Sequence, residues 1–145
     1  VPLVFAGPGV RAGQRCTRPA ELLDIYPTLV ELCGLPPRTD LEGISLVPVL
    51  RDPSKSVKTA SFSQYPRGVD GRQLMGYSMR TDRYRFTRWV HRNDHTKVDA
   101  VELYDHQTDP QENVNIANDP ANADLVARLT QQWLQGWRGA KAEGR

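Results

Sequence analysis

Ser63-Gln64-Tyr65-Pro66-Arg67 places an aromatic ring, a rigid proline and a guanidinium in consecutive positions. A guanidinium is a planar fork of donors suited to two-pronged recognition of an acidic group. A denser ladder of arginines and aromatics follows in Leu74–Val90, "LMGYSMRTDRYRFTRWV". Three chemistries fit this composition: a nucleic-acid surface, a substrate pocket, or the two sides of an ordinary β-hairpin.

Nucleic-acid binding is the weakest of the three. Arg80, Arg83, Arg85, Arg88 and Arg92 alternate with Tyr84, Phe86 and Trp89, which is the raw material of a stacking and phosphate surface. Asp70, Asp82, Asp94 and Asp99 dilute that charge, and no nucleic-acid-binding motif accompanies the ladder. Arginine stems laid over the solvated face of a sheet explain the pattern without a ligand.

Metal and nucleophile chemistry find little footing. His91 and His95 would share a face only on a helix, whereas Arg92-Asn93-Asp94 between them is a loop signal after a strand. Asp109, Asn113 and Asn115 lack the glycine and closing glutamate of a calcium loop. No Gly-x-Ser-x-Gly is present, and Cys16 and Cys33 lie in no recognised catalytic setting.

The elements that must position these residues follow from patterning. At 145 residues, with 39% hydrophobic and 25% charged residues and a net charge of +2, the chain has globular composition and no strong bias toward a polyanionic partner. It holds no apolar run long enough for a membrane span. Val1–Ala6 reads as a strand buried on both faces, ending at Gly7-Pro8-Gly9; a core strand here predicts that further parts of the fold precede it. Asp24 is the predicted N-cap of a helix from Ile25 to Cys33, stopped by Gly34, with Leu29, Val30 and Cys33 on one face. A short helical turn is expected near Leu46–Leu50, and a short strand over Thr59–Ser63.

The second half changes period. Gln73–Arg80 and Tyr84–His91 flank Thr81-Asp82-Arg83 as a hairpin. Met75, Tyr77 and Met79 share a face with Tyr84, Phe86 and Val90, while Arg83, Arg85, Thr87 and Trp89 point the other way. Val101–Tyr104 is a third strand. Asn122–Trp137 is an amphipathic helix through Val126, Leu129, Trp133 and Trp137. The expected fold class is therefore α/β plus α+β. Residues 1–56 are the remnant of an α/β domain, and residues 57–145 are an antiparallel-sheet subdomain with a covering helix.

Read in order, "VPLVFAGPGV", "ELLDIYPTLVELCGLP", "LEGISLVPVL" and "ELYDHQTDPQENVNIANDP" with a closing helix resemble the last third of a type I sulfatase. "SFSQYPR" followed by "LMGYSMRTDRYRFTRWV" is most similar to iduronate-2-sulfatase and its bacterial relatives. The resemblance implies an alkaline-phosphatase-like α/β domain that carries formylglycine, calcium and the catalytic groups, followed by a four-stranded antiparallel subdomain with a helix. Those catalytic and metal-binding residues belong upstream, so the resemblance places no catalytic residue, no metal ligand and no bound cofactor in this chain. Cys16-Thr17-Arg18-Pro19 holds the elements of the Cys-x-Pro-x-Arg formylglycine motif in the wrong order.

The resemblance also implies the partners. These are a sulfated carbohydrate such as 2-sulfo-iduronate and the N-terminal catalytic part, in a periplasmic, secreted or lysosomal setting. The chain by itself is expected to be inactive. Ser63–Arg67 corresponds to a loop approaching the substrate cleft, with Arg67 offering its fork to a uronate carboxylate and Tyr65 and Pro66 forming a stiff wall. Between Arg67 and Leu74, where the subfamily has a lysine contact, Arg72 is the basic candidate. Arg67 bracing an acidic residue of the upstream domain stands beside the substrate role. A carbohydrate- or protein-binding module that kept only this subdomain stands as the alternative to an enzyme.

Overall fold

A computed structural model describes residues 2–142. They form two compact units, one of residues 2–59 with 141–142 and one of residues 60–140.

The first unit is helical with long connections. A 3-10 turn at Leu22–Asp24 runs directly into α1, Ile25–Leu32. Pro27 sits in the first turn of α1, where a missing N–H costs nothing. Gly34, at φ 65°, ends α1: its N–H donates to Glu31 O at 3.1 Å, and Leu35 N–H donates to Val30 O at 3.0 Å, the Schellman arrangement. A second short helix, α2, spans Val47–Arg51. Leu46, Val49 and Val57 are buried with Phe5 and Ile44 against them.

Three local expectations are corrected here. Asp24 has helical backbone angles, and its side chain caps no N–H of α1. Its buried carboxylate instead accepts Glu21 N–H and Ile44 N–H, each at 2.9 Å, and meets Lys58 Nζ at 2.8 Å. On α1 the buried position is Thr28, whose hydroxyl donates to Asp24 O and accepts from Leu46 N–H, while Leu29 and Cys33 face outward. Residues 2–6 form no strand, and Val4 is 85% exposed. A strand exists only through hydrogen bonds to neighbours, and none pairs with this segment among the described residues.

The second unit is a four-stranded antiparallel sheet in the order β1-β2-β3-β4: β1 Ala60–Val69, β2 Arg72–Thr81, β3 Tyr84–His91 and β4 Asp94–Asp105. A helix, α3 (Ala123–Gly139), follows. The hairpin register matches the alternation of the sequence: Met79 faces Phe86, Tyr77 faces Arg88 and Met75 faces Val90. Ala60, Met79, Phe86, Leu103 and Leu129 are buried together, with Leu125, Val126 and Trp133 of α3 packed on them. A kink at Gly136, φ 65°, turns the last stretch, where Trp137 stacks with Arg138.

Two strands run further than the sequence indicated. The segment read as a loop around Ser63–Arg67 is part of β1, turned back into β2 by Asp70-Gly71, both at positive φ. An Asp-Gly pair is the preferred two-residue hairpin turn, and Pro66 is tolerated because β1 is an edge strand. Asp94 and His95, read as loop, open β4 after a tight turn at Arg92-Asn93.

Candidate functional site

Strand alternation sorts the second unit into a face covered by α3 and an open face. Tyr65 pairs with Gly76, and Gly76 with Trp89, so these three lie in one row across the open face. Arg67 is one step along β1 from that row, and its Cζ lies 5.2 Å from the Trp89 ring centroid. The indole crosses β2 where there is no side chain to stop it: a Cβ on Gly76 would fall 2.7 Å from Trp89 Cζ3. At its other end, Trp89 Nε1–H donates to Glu102 Oε1 at 2.9 Å.

Beside this stack, a shallow cleft of about 290 Å³ opens on the same unit, lined among others by Tyr65, Ser78, Thr87, Trp89, Glu102 and Tyr104. Tyr65 is 69% exposed. Burial, and then the negative charge of Glu102 and Glu112, holds the Tyr104 phenol above its ordinary value, so it stays a neutral hydrogen-bond donor.

One end of the cleft is a polar chain. Arg80 Nη2 donates to His106 Nδ1 at 2.9 Å. A guanidinium carries only donors, so the network assigns the His106 proton to Nε2, which donates to Glu112 Oε1 at 2.6 Å. Glu112 also receives Arg85 Nε at 2.6 Å and holds an unusual φ of 58°. Flat aromatics with a few convergent polar groups suit a sugar ring better than an apolar ligand.

The three residues singled out in the sequence are not placed alike. Tyr65 and Arg67 come together on β1 beside Trp89. Arg72 is engaged by Asp99 and, at 3.7 Å, by Asp70. Trp89, Glu102 and Gly76 were not recognised as site residues. The signal for Trp89 was its place on the outward face of the hairpin, opposite a glycine; Glu102 carried none.

A larger recess of about 1020 Å³ in the first unit is walled by Pro27, Val30, Leu35 and Pro48, and its Arg38 is spent on Asp40 at 2.6 Å. Glu31, Lys55 and Lys141 also line it. No three His, Cys, Asp or Glu side chains among the described residues converge to hold a metal ion. Cys16, exposed and near Pro53 O, lacks the motif for formylglycine. The described residues therefore do not fit calcium or formylglycine.

This geometry can be set beside known proteins. The model of the family "N-sulphoglucosamine sulphohydrolase, C-terminal" matches residues 1–138, and the chain belongs to that family. A Delta 4,5-hexuronate-2-O-sulfatase of Bacteroides thetaiotaomicron is 32% identical over 133 residues, covering 88% of this chain and 26% of the relative. Human arylsulfatase K is 30% identical over 122 residues, covering 81% of this chain and 22% of its own length. A solved 2-O GAG sulfatase superposes with a TM-score of 0.70 at 28% identity, covering 93% of this chain and 29% of that one. The chain thus spans about a quarter of the length of the curated relatives it matches. The expected fold stands: a four-stranded antiparallel sheet with a C-terminal helix, of the kind found in sulfatases of the alkaline-phosphatase type.

Proposed function

We propose that this chain is the C-terminal part of a hydrolase that cleaves sulfate esters of a sulfated sugar, with a 2-O-sulfated uronate as the favoured substrate class. Residues 1–56 then close the catalytic α/β domain, and residues 57–145 form the substrate-facing subdomain. The family match, the hexuronate-2-O-sulfatase sequence match and the superposed 2-O GAG sulfatase structure support this reading. Formylglycine and calcium belong to the part of the enzyme that precedes this chain, in a periplasmic, secreted or lysosomal setting, and the chain alone releases no sulfate. No helix among the described residues is long and apolar enough to cross a membrane.

The observation that carries the proposed binding role is Arg67, which stacks on Trp89 and has no carboxylate against it among the described residues. Tyr65 supplies the neighbouring wall, and Arg72, 42% exposed and paired with Asp99 and Asp70, lies at the rim. In the complete protein, Arg67→Lys keeps the charge but loses the fork. It is expected to lower kcat/KM for the sulfated sugar, with Tm nearly unchanged and a small aryl sulfate still turned over. A fall in Tm together with loss of both activities would make Arg67 a brace and end the substrate-contact role.

A further inference from the structure

We infer that Trp89 is the positioning residue that presents Arg67 to an anionic group of the sugar, an inference that rests on the substrate-contact reading above. The other arginines beside this face are committed: Arg72 to Asp99 and Asp70, Arg85 to Glu112, and Arg80 to His106. Arg67 is exposed on an edge strand, where a long side chain would sample many rotamers and lose that freedom on binding. Stacking on the indole removes much of that loss in advance and occupies only the face of the guanidinium, not the N–H donors at its edge. The donors are then aligned for two-pronged contact with a carboxylate or sulfate oxygen pair.

The support for Trp89 is built from both sides. Gly76 lets the ring lie across β2 toward β1, since a Cβ there would meet three indole carbons within 2.9 Å. Glu102 fixes the pyrrole edge through Nε1. Neither feature touches the Arg67 guanidinium; each sets the plane on which it rests. Trp89 thus acts on the anionic group through Arg67, while it also lines the neighbouring cleft.

The test uses the complete protein, produced without conversion of its formylglycine cysteine so that the probe is not hydrolysed, and a 2-O-sulfated heparin disaccharide as probe, followed by the Arg67 Nε–H and Trp89 Nε1–H signals in ¹H–¹⁵N spectra. In the wild type, the Arg67 signal is shifted upfield by the indole ring current and moves on titration. Arg67→Ala is expected to abolish binding. Trp89→Leu is expected to return the Arg67 signal toward its free position and to raise Kd about two- to fivefold, the range of an exposed cation–π contact. Trp89→Phe is expected to restore most of both.

An unchanged Kd in Trp89→Leu, with binding still lost in Arg67→Ala, overturns the positioning role alone. No shift in the wild type, or an unchanged Kd in Arg67→Ala, overturns the substrate-contact reading and this inference with it. Should Trp89→Leu fail to melt cooperatively, Glu102→Ala, which frees the indole edge, takes its place with the same expected and overturning results.

Discussion

Lys58 Nζ lies 2.8 Å from Asp24 Oδ1, with the Lys58 side chain 5% exposed and Asp24 sealed from solvent. Glu21 shares the same ammonium, so one buried cation answers two carboxylates. A buried pair of this kind is costly to break from one side, because the remaining charge stays buried without a partner. Lys58→Met is expected to destabilise the chain by about 3–5 kcal/mol, read from urea unfolding. A loss below about 1 kcal/mol, the level of an exposed pair, would show that water reaches Asp24.

The two faces of β3 give a second contrast. Phe86 is fully buried in the core, so Phe86→Ala is expected to cost about 3–5 kcal/mol. Arg85, its neighbour on the opposite face, makes a partly exposed pair with Glu112, and Arg85→Ala is expected to cost under about 1 kcal/mol. Equal losses in thermal or denaturant melts would contradict the observed register.

Gly76 reverses an ordinary rule. Replacing a strand glycine by alanine usually helps, because the unfolded chain loses freedom. Here the new methyl meets the Trp89 ring at 2.7 Å, and Gly76→Ala is expected to lower stability by about 1–3 kcal/mol, as overpacking does. A stabilised variant would mean that the indole moves aside freely.

Acid stability is expected to depend on Asp105. Its carboxylate receives Arg83 Nε at 2.9 Å and Nη2 at 2.6 Å, and that pairing, despite opposing burial, holds it below its ordinary value of 3.8. A depressed folded-state value means that the protonated form is disfavoured on folding. The stabilisation is therefore fully present above 3.8 and is lost as pH falls below it through the folded-state value. The gap in unfolding free energy between wild type and Asp105→Asn should be constant from neutral pH to about pH 5 and shrink on further acidification. A gap that widens toward acid would contradict this sign.

The second unit carries its core within itself, since Ala60, Met79, Phe86, Leu103, Leu129 and Ala140 all fall in residues 60–140. A chain cut to residues 60–140 is expected to melt cooperatively. A non-cooperative melt of that piece by circular dichroism would show that it depends on the first unit.

What could be read from the sequence was whatever repeats locally. Met75, Tyr77 and Met79 against Phe86 and Val90 declare their face by alternation, and Val126, Leu129 and Trp133 declare theirs by helical spacing; both were placed correctly. Asp70-Gly71 was an available turn signal, overshadowed by Pro66, which reads as a strand breaker unless the strand lies at an edge. The role of Asp24 was not legible, because its partners Ile44 and Lys58 are distant in sequence and a helix N-cap uses the same residue type. The Gly76–Trp89–Glu102 arrangement was hidden for a related reason: it joins three strands, and no single strand shows it.

Pro66 also bears on how this sheet behaves among other copies of itself. The tight turn closes β1 on β2 at Val69 and Arg72, and alternation from there places Pro66 where its backbone nitrogen looks away from β2. That nitrogen has no hydrogen to offer, so the outer border of β1 cannot present an unbroken row of donors. At the opposite border, Asn115 accepts Leu103 N–H and donates to Val101 O, and Ile116 N–H donates to Leu103 O. An incoming strand finds one side interrupted and part of the other already taken, so both borders resist self-templated polymerisation into fibrils.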